Sequence, residues 1–165
     1  MSARVKAGRA ILCVDGAAPD ALLDAASGLV DASLVWVPAH VVDTRGRREL
    51  GLLRSGIPGA GPLSPSQLEA IDTATAEHTR AVLAAATAGL ERRGLRHESP
   101  QIRSGEPGRE LCDIAAAARA SLVVLFASRR ARAARGPGSV GHTARFVLDH
   151  APCPVLLVRS QHPVG

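Results

Sequence analysis

Arg9-Ala-Ile-Leu-Cys-Val-Asp15 is an unbroken apolar run that starts on a cation and ends on an acid. Its lack of alternation predicts a strand covered on both faces, as at the centre of a parallel sheet. Gly16 follows, then Pro19 at a position suited to the first turn of a helix. Beyond it Leu22, Leu23, Ala26, Leu29 and Val30 recur at helical spacing. A strand, a tight turn and an amphipathic helix make the opening of a βαβ unit.

Outward from that unit the same grammar repeats. Leu34-Val-Trp-Val37 reads as a second strand, ending at Pro38. Residues 39–65 carry Gly46, Gly51, Gly56, Gly59 and Gly61 with Pro58 and Pro62 and no sustained period, the marks of a long variable loop. Ser66 opens an Ala-rich helical pattern through Leu68, Ile71, Ala74, Val82, Leu83, Ala86 and Leu90, closed by Gly94. Residues 95–103 form a weaker strand pattern broken by Pro100, which the edge of a sheet tolerates. Gly105-Glu-Pro107 starts another helix, with Leu111, Ile114, Ala115 and Ala118 on one face. Leu122-Val-Val-Leu-Phe126 is a strongly apolar strand, followed by an Arg-rich loop. A last helix turns Ala144, Val147, Leu148 and Ala151 inward, and Pro154-Val-Leu-Leu-Val158 is the last strand. Five strands alternating with four helices predict an α/β fold. The sheet is Rossmann-like, open and mainly parallel, with right-handed crossovers and helices on both faces.

The 165 residues make one domain, 1–165, and a hydrophobic share of 46 % against 21 % charged excludes a disordered chain. Aromatics are only 2 %, so the core is built from Ala, Val, Leu and Ile, with Trp36 as a packing residue. No apolar run approaches the roughly 18 residues that cross a bilayer. The first residues make a poor signal peptide, so the cytoplasm is the expected compartment. Cys13, Cys112 and Cys153 lack a CxxC pair and are expected as buried free thiols rather than a disulfide framework or zinc site. The net charge of +5 comes from an Arg-dominated set in which Lys6 is the one lysine, a skew that a GC-rich genome produces as readily as selection. The histidines show no metal spacing, and there is no nucleophile elbow or Walker loop, so catalysis is not expected.

Open α/β sheets bind ligands beyond the carboxyl ends of their strands, where the topology reverses. Here that edge is made from Asp15-Gly16, Val37-Pro38, the loop after Phe126 and the start of the following helix. Asp15 has two open readings: an acceptor for a ligand's base or ribose, or a cap for the next helix.

The ending Gly141-His-Thr-Ala-Arg-Phe-Val-Leu-Asp-His-Ala-Pro-Cys-Pro-Val-Leu-Leu-Val-Arg159 resembles the closing helix and strand of the universal stress protein family. Ile11-Leu-Cys-Val-Asp-Gly16 and Gly105-Glu-Pro-Gly-Arg-Glu-Leu111 extend the resemblance across nearly the whole chain, with 39–65 the part least like the family. The resemblance implies five parallel strands in the order 3-2-1-4-5. It also implies a homodimer paired through strand 154–158, which would otherwise leave an exposed edge. Members that hold ATP resemble one another in Gly-x-x-Gly, a run of nine further residues, then Gly-Ser or Gly-Thr, plus an Asp ending the first strand. Glycines let the backbone approach phosphate oxygens, and helix N-terminal amides point at them. In that geometry Val37 offers backbone groups to a base edge.

This chain departs from the pattern. Gly141-His142 stands where Gly-Ser or Gly-Thr is expected, and Ala131 and Ser128 stand at the two earlier glycine positions. Arg129, Arg130, Arg132 and Arg135 add positive charge that can clamp phosphate, form a solvated loop or attract nucleic acid. Without neighbouring aromatics, nucleic-acid binding is limited to weak, salt-sensitive attraction. His142 can donate to a phosphate or simply start the helix.

The expected site is therefore Asp15, Val37, Ser128, Arg129, Arg130, Ala131, Gly141 and His142, with no metal. The expected function is a non-enzymatic, homodimeric stress-response module with a degenerate adenine-nucleotide cleft, no membrane contact and no obligatory cofactor. The alternative is an ATP binder, with magnesium, that hydrolyses or transfers nucleotide slowly. A nucleic-acid-binding accessory protein is the second alternative.

Overall fold

The computed structural model describes residues 8–16, 19–45, 63–127 and 140–159. Along them run β1 (Arg9–Cys13), α1 (Pro19–Ser27), β2 (Val35–Asp43), α2 (Pro65–Arg92), β3 (Gln101–Gly105), α3 (Pro107–Ala117), β4 (Leu122–Phe126), α4 (His142–His150) and β5 (Val155–Val158). The strands form one sheet in the order β3-β2-β1-β4-β5, and every pairing is parallel. This is the α/β architecture and strand order that the sequence implied.

β1 lies at the centre, and its side chains alternate between two cores. Ala10, Leu12 and Val14 join Trp36, Leu122 and Val124 under α1 and α2, which contribute Leu22, Leu23, Leu83 and Leu90. Ile11 and Cys13 join Val37, Ala39, Val123 and Leu125 under α3 and α4, which contribute Leu111, Ile114, Ala144 and Val147. Two cores explain why the opening run shows no polar alternation. Trp36 is a packing residue, 1 % exposed and among the largest fully buried side chains.

The second strand does not stop at Pro38; it runs on to Asp43. Trp36 donates its N–H to the Arg96 carbonyl and accepts from the Glu98 N–H, both at 2.8 Å. With period two, Pro38 turns its missing N–H to that same side. There the partner chain bulges: Trp36 stands opposite His97, but Ala39 stands opposite Gln101, so one extra residue lies across from Pro38. The proline faces a gap in the ladder and breaks nothing. Residues 39–43 therefore leave the expected loop, and 46–62 lie outside the described residues.

Other boundaries shift in ways that local chemistry explains. α2 starts at Pro65, because Ser64 caps it: the Gln67 N–H donates to Ser64 Oγ and the Ser64 N–H to Gln67 Oε1. Its buried positions, from Thr79 to Leu90, lie in the C-terminal half, while Ile71 is exposed. Gly94, with φ +62°, closes it, and the Leu95 N–H reaches back to the Leu90 carbonyl. α1 ends at Ser27, so Leu29 projects into solvent. Leu148, expected inward, is 44 % exposed. β3 is shorter than residues 95–103 suggested, because the bulge precedes it, and β5 begins after Pro154. The cysteines are free, but only Cys13 is fully buried; Cys112 and Cys153 are half-buried.

α1 and α2 are also joined by ions. Arg93 pairs with Asp20 and Asp24, and Arg92 with Asp20. The Arg93 and Arg92 guanidiniums hold the Asp20 carboxyl below its ordinary 3.8. A carboxyl lowered by folding adds stability above its unfolded value and loses it as pH falls through the folded one. Asp20→Asn is expected to destabilise by about 1 kcal/mol at neutral pH, after solvent screening of these half-exposed groups. The difference from wild type should shrink to nothing in urea melts carried well below pH 3.8.

Candidate functional site

A cleft of about 530 Å3 opens at the carboxyl ends of β1, β2 and β4. β1 reaches it through Cys13, Val14 and Asp15; β2 through Ala39, His40, Val41 and Asp43; β4 through Leu125 and Phe126. The starts of α3 and α4 close the far wall with Pro107, Leu111, His142, Thr143 and Ala144. The position follows from the strand order: β1 crosses over to β2 on one side, while β4 on its other side is reached from β3, so the order reverses between β1 and β4.

Several local features fix the walls. The Val14 N–H donates to the Ala39 carbonyl at 2.9 Å, carrying the β1–β2 ladder to the cleft floor. The Val14 carbonyl is met by His40 Nδ1 at 2.7 Å. A carbonyl only accepts, so Nδ1 carries the proton and the tautomer of His40 is set. The His40 ring also meets the His78 ring of α2 edge-on, with centroids 6.1 Å apart. His78 lies over the turn after β1, where Gly16 has φ +96° and a Cβ would stand 3.1 Å from the His78 ring. Burial pushes the Cys13 thiol well above its ordinary value, so it lines the floor as a neutral group.

The mouth is charged. Arg45 holds Asp43 with Nε–Oδ1 at 3.0 Å and Nη2–Oδ2 at 2.8 Å, a two-pronged contact. The Arg45 guanidinium keeps the Asp43 carboxyl below its ordinary range, and His142 adds to that from across the cleft. His142 Nε2 stands 3.6 Å from Glu106 Oε1. Behind it Gly141, with φ +84°, caps α4 without a side chain, so the cap itself supplies no side-chain hydrogen bond to the helix's first amides. Such amides carry partial positive charge, and chemically the arrangement can receive a small acceptor or anion.

The structure brings Asp15 and His142 to this cleft, with Gly141 directly behind His142. Val37 lies deeper, 2 % exposed in the core under α3 and α4, and does not line the cleft. Because β2 continues past Pro38, Val41 takes the place at the cleft expected of Val37. Ser128, Arg129, Arg130 and Ala131 lie outside the described residues. Asp43, Arg45, Glu106 and Thr143 went unread in the sequence. The β-branched pair Val41-Val42 leading to an acid was the signal available for the first of them. Among the described residues no group of three or more His, Cys, Asp or Glu is placed to hold a metal, and no helix is long and apolar enough to cross a membrane.

Residues 11–159 match the model of the universal stress protein family. Among solved structures, a universal stress protein family protein from Burkholderia pseudomallei is 27 % identical, with 93 % of this chain and 96 % of that one covered and a TM-score of 0.60. A universal stress protein family protein from Arabidopsis thaliana with AMP bound is 16 % identical, with 93 % and 92 % covered and a TM-score of 0.58. A universal stress protein in complex with cAMP is 15 % identical, with 94 % and 100 % covered and a TM-score of 0.54. No curated protein shows significant similarity to the chain.

Proposed function

Because the chain belongs to the universal stress protein family, we propose that it is a non-enzymatic regulatory module whose cleft binds an adenine nucleotide weakly. The observation that carries this reading is the cleft itself: strand ends on one side, the glycine-capped start of α4 on the other, and room for a small ligand. Structural neighbours with AMP and cAMP support the ligand class. Weakness follows from the sequence, where Ser128 and Ala131 replace the glycines that would let a backbone approach phosphate. The acceptors Asp15 and the Val41 backbone would then hold the base and ribose, and His142 would stand nearest the phosphate. The family and the neutral, buried Cys13 favour sensing over chemistry, in the cytoplasm.

Calorimetry with ATP and magnesium tests the reading. Heat of binding that saturates only in the millimolar range supports it, whereas a micromolar dissociation constant abolished by Asp15→Ala supports the competing ATP-hydrolase reading.

The regulatory form is a homodimer through β5. This strand is an edge of the sheet, and an apolar edge is protected by pairing. The Val123 N–H donates to Pro154 and the Ala127 N–H to Val158, so by alternation Val155 and Leu157 turn their N–H groups outward. Leu157→Pro deletes one of those outward donors and leaves the β4 ladder intact. It is expected to halve the mass measured by light scattering at micromolar concentration; a wild-type chain that is already monomeric there contradicts the dimer.

A further inference from the structure

We infer that Cys112 and Cys153 join in an intramolecular disulfide under hydrogen peroxide, a redox latch that ties α3 to the turn between α4 and β5. The latch is independent of what the cleft binds.

The fold brings the two thiols together from different elements. Cys112 lies on α3 and Cys153 in the turn after α4, and both pack against the core that these helices cover. Every strand pairing is parallel, so α3 and α4 each carry the chain back over that same face and run in the same direction. The two helices touch where Gly108 meets Phe146. One turn further along α3, on the same face, stands Cys112. One turn further along α4 stands His150, its ring stacked on Phe146, and the turn that holds Cys153 begins just beyond it. Cys112 therefore looks toward the turn of Cys153. The two groups also feel each other: burial, then the Asp113 carboxylate, then Cys153 push the Cys112 thiol up. Both cysteines are half-buried and open to a small oxidant, whereas Cys13, in the same core, is buried.

The chemistry balances with peroxide as the oxidant. One thiol, as its thiolate, attacks a peroxide oxygen; the O–O bond breaks, hydroxide leaves and a sulfenic acid forms. The second thiolate attacks the sulfenic sulfur, the S–S bond forms and a second hydroxide leaves. The two protons given up by the thiols convert both hydroxides to water. Burial raises the Cys153 thiol as well, so neither thiolate is stabilised. Oxidation is then slow, and the finished disulfide resists reduction.

The test treats the folded full chain with hydrogen peroxide and maps its peptides without reductant. The wild type is expected to pass from three free thiols to one, with the Cys112 and Cys153 peptides linked within one chain and released by dithiothreitol. Cys13→Ser should keep the link, while Cys112→Ser and Cys153→Ser should each lose it and gain oxygen at the remaining half-buried cysteine. The oxidised wild type should also melt at higher urea than the reduced one, because the cross-link restricts the unfolded chain. The wild-type map stands whether or not a variant folds. A link that includes Cys13, a link between chains, sulfinic acid in place of a disulfide, three thiols left free, or a urea midpoint that fails to rise overturns the latch.

Discussion

Trp36→Ala is expected to remove about 3–5 kcal/mol of stability, the usual loss when a buried aromatic becomes alanine. Trp36 is 1 % exposed and lies where β2, α1 and α2 meet, in contact with the core that holds Leu22, Leu83 and Leu90. Its backbone also carries the bridge to Arg96 and Glu98 just before the bulge. Removing the indole leaves a cavity that rigid sheet neighbours cannot fill, since β1 and β2 are tied along five residue pairs. Domains of this kind have about 5–15 kcal/mol to lose, so the variant should unfold at markedly lower denaturant. Trp36→Phe keeps most of the volume and should fall well short of that loss. Urea melts followed by circular dichroism check both, and equal midpoints for Trp36→Ala and wild type would contradict the packing described.

The second large effect concerns the joint between α3 and α4. A Cβ on Gly108 would stand 2.8 Å from Phe146 Cβ and 2.9 Å from Cγ and Cδ1. Phe146 has little room to yield, because its ring stacks on His150 with centroids 4.1 Å apart. On helix propensity alone Gly108→Ala should stabilise by about 0.5–1 kcal/mol. The clash reverses the sign, and overpacking of this kind destabilises by about 1–3 kcal/mol. Gly108→Val should reach the upper end. Because α4 carries His142–Ala144 into the cleft wall, the same change should weaken nucleotide binding. A stable Gly108→Ala with unchanged affinity would show that the two helices are not held at this contact.

Much of this architecture was legible because parallel strands buried on both faces leave continuous apolar runs. Ile11–Val14 and Leu122–Leu125 read without ambiguity, since every side chain in them has a core to enter. Pro38 misled for a physical reason. A proline in a strand usually ends it, and only tertiary pairing shows that this one faces a bulge in the neighbouring chain. That single residue displaced the expected strand end from Val37, and on the strand as it runs Val41 lines the cleft. Asp15 and His142 were legible because a strand followed by a turn, and a glycine before a helix, both mark positions at the carboxyl edge of such a sheet. Asp43, Arg45 and Glu106 were not, because they come together only when β2 and α3 are brought side by side. Leu148 shows the limit of periodicity: α4 spans nine residues, and its packed stripe is narrow enough for Ala144 and Val147 to fill.

Amide chemical-shift mapping of the full chain titrated with cAMP decides whether this cleft holds an adenine nucleotide. Fast-exchange shifts are expected that saturate at high ligand concentration and concentrate on Asp15, Val41, Asp43 and His142 to Ala144. Shifts that gather elsewhere, or an unchanged spectrum at saturating ligand, would contradict it.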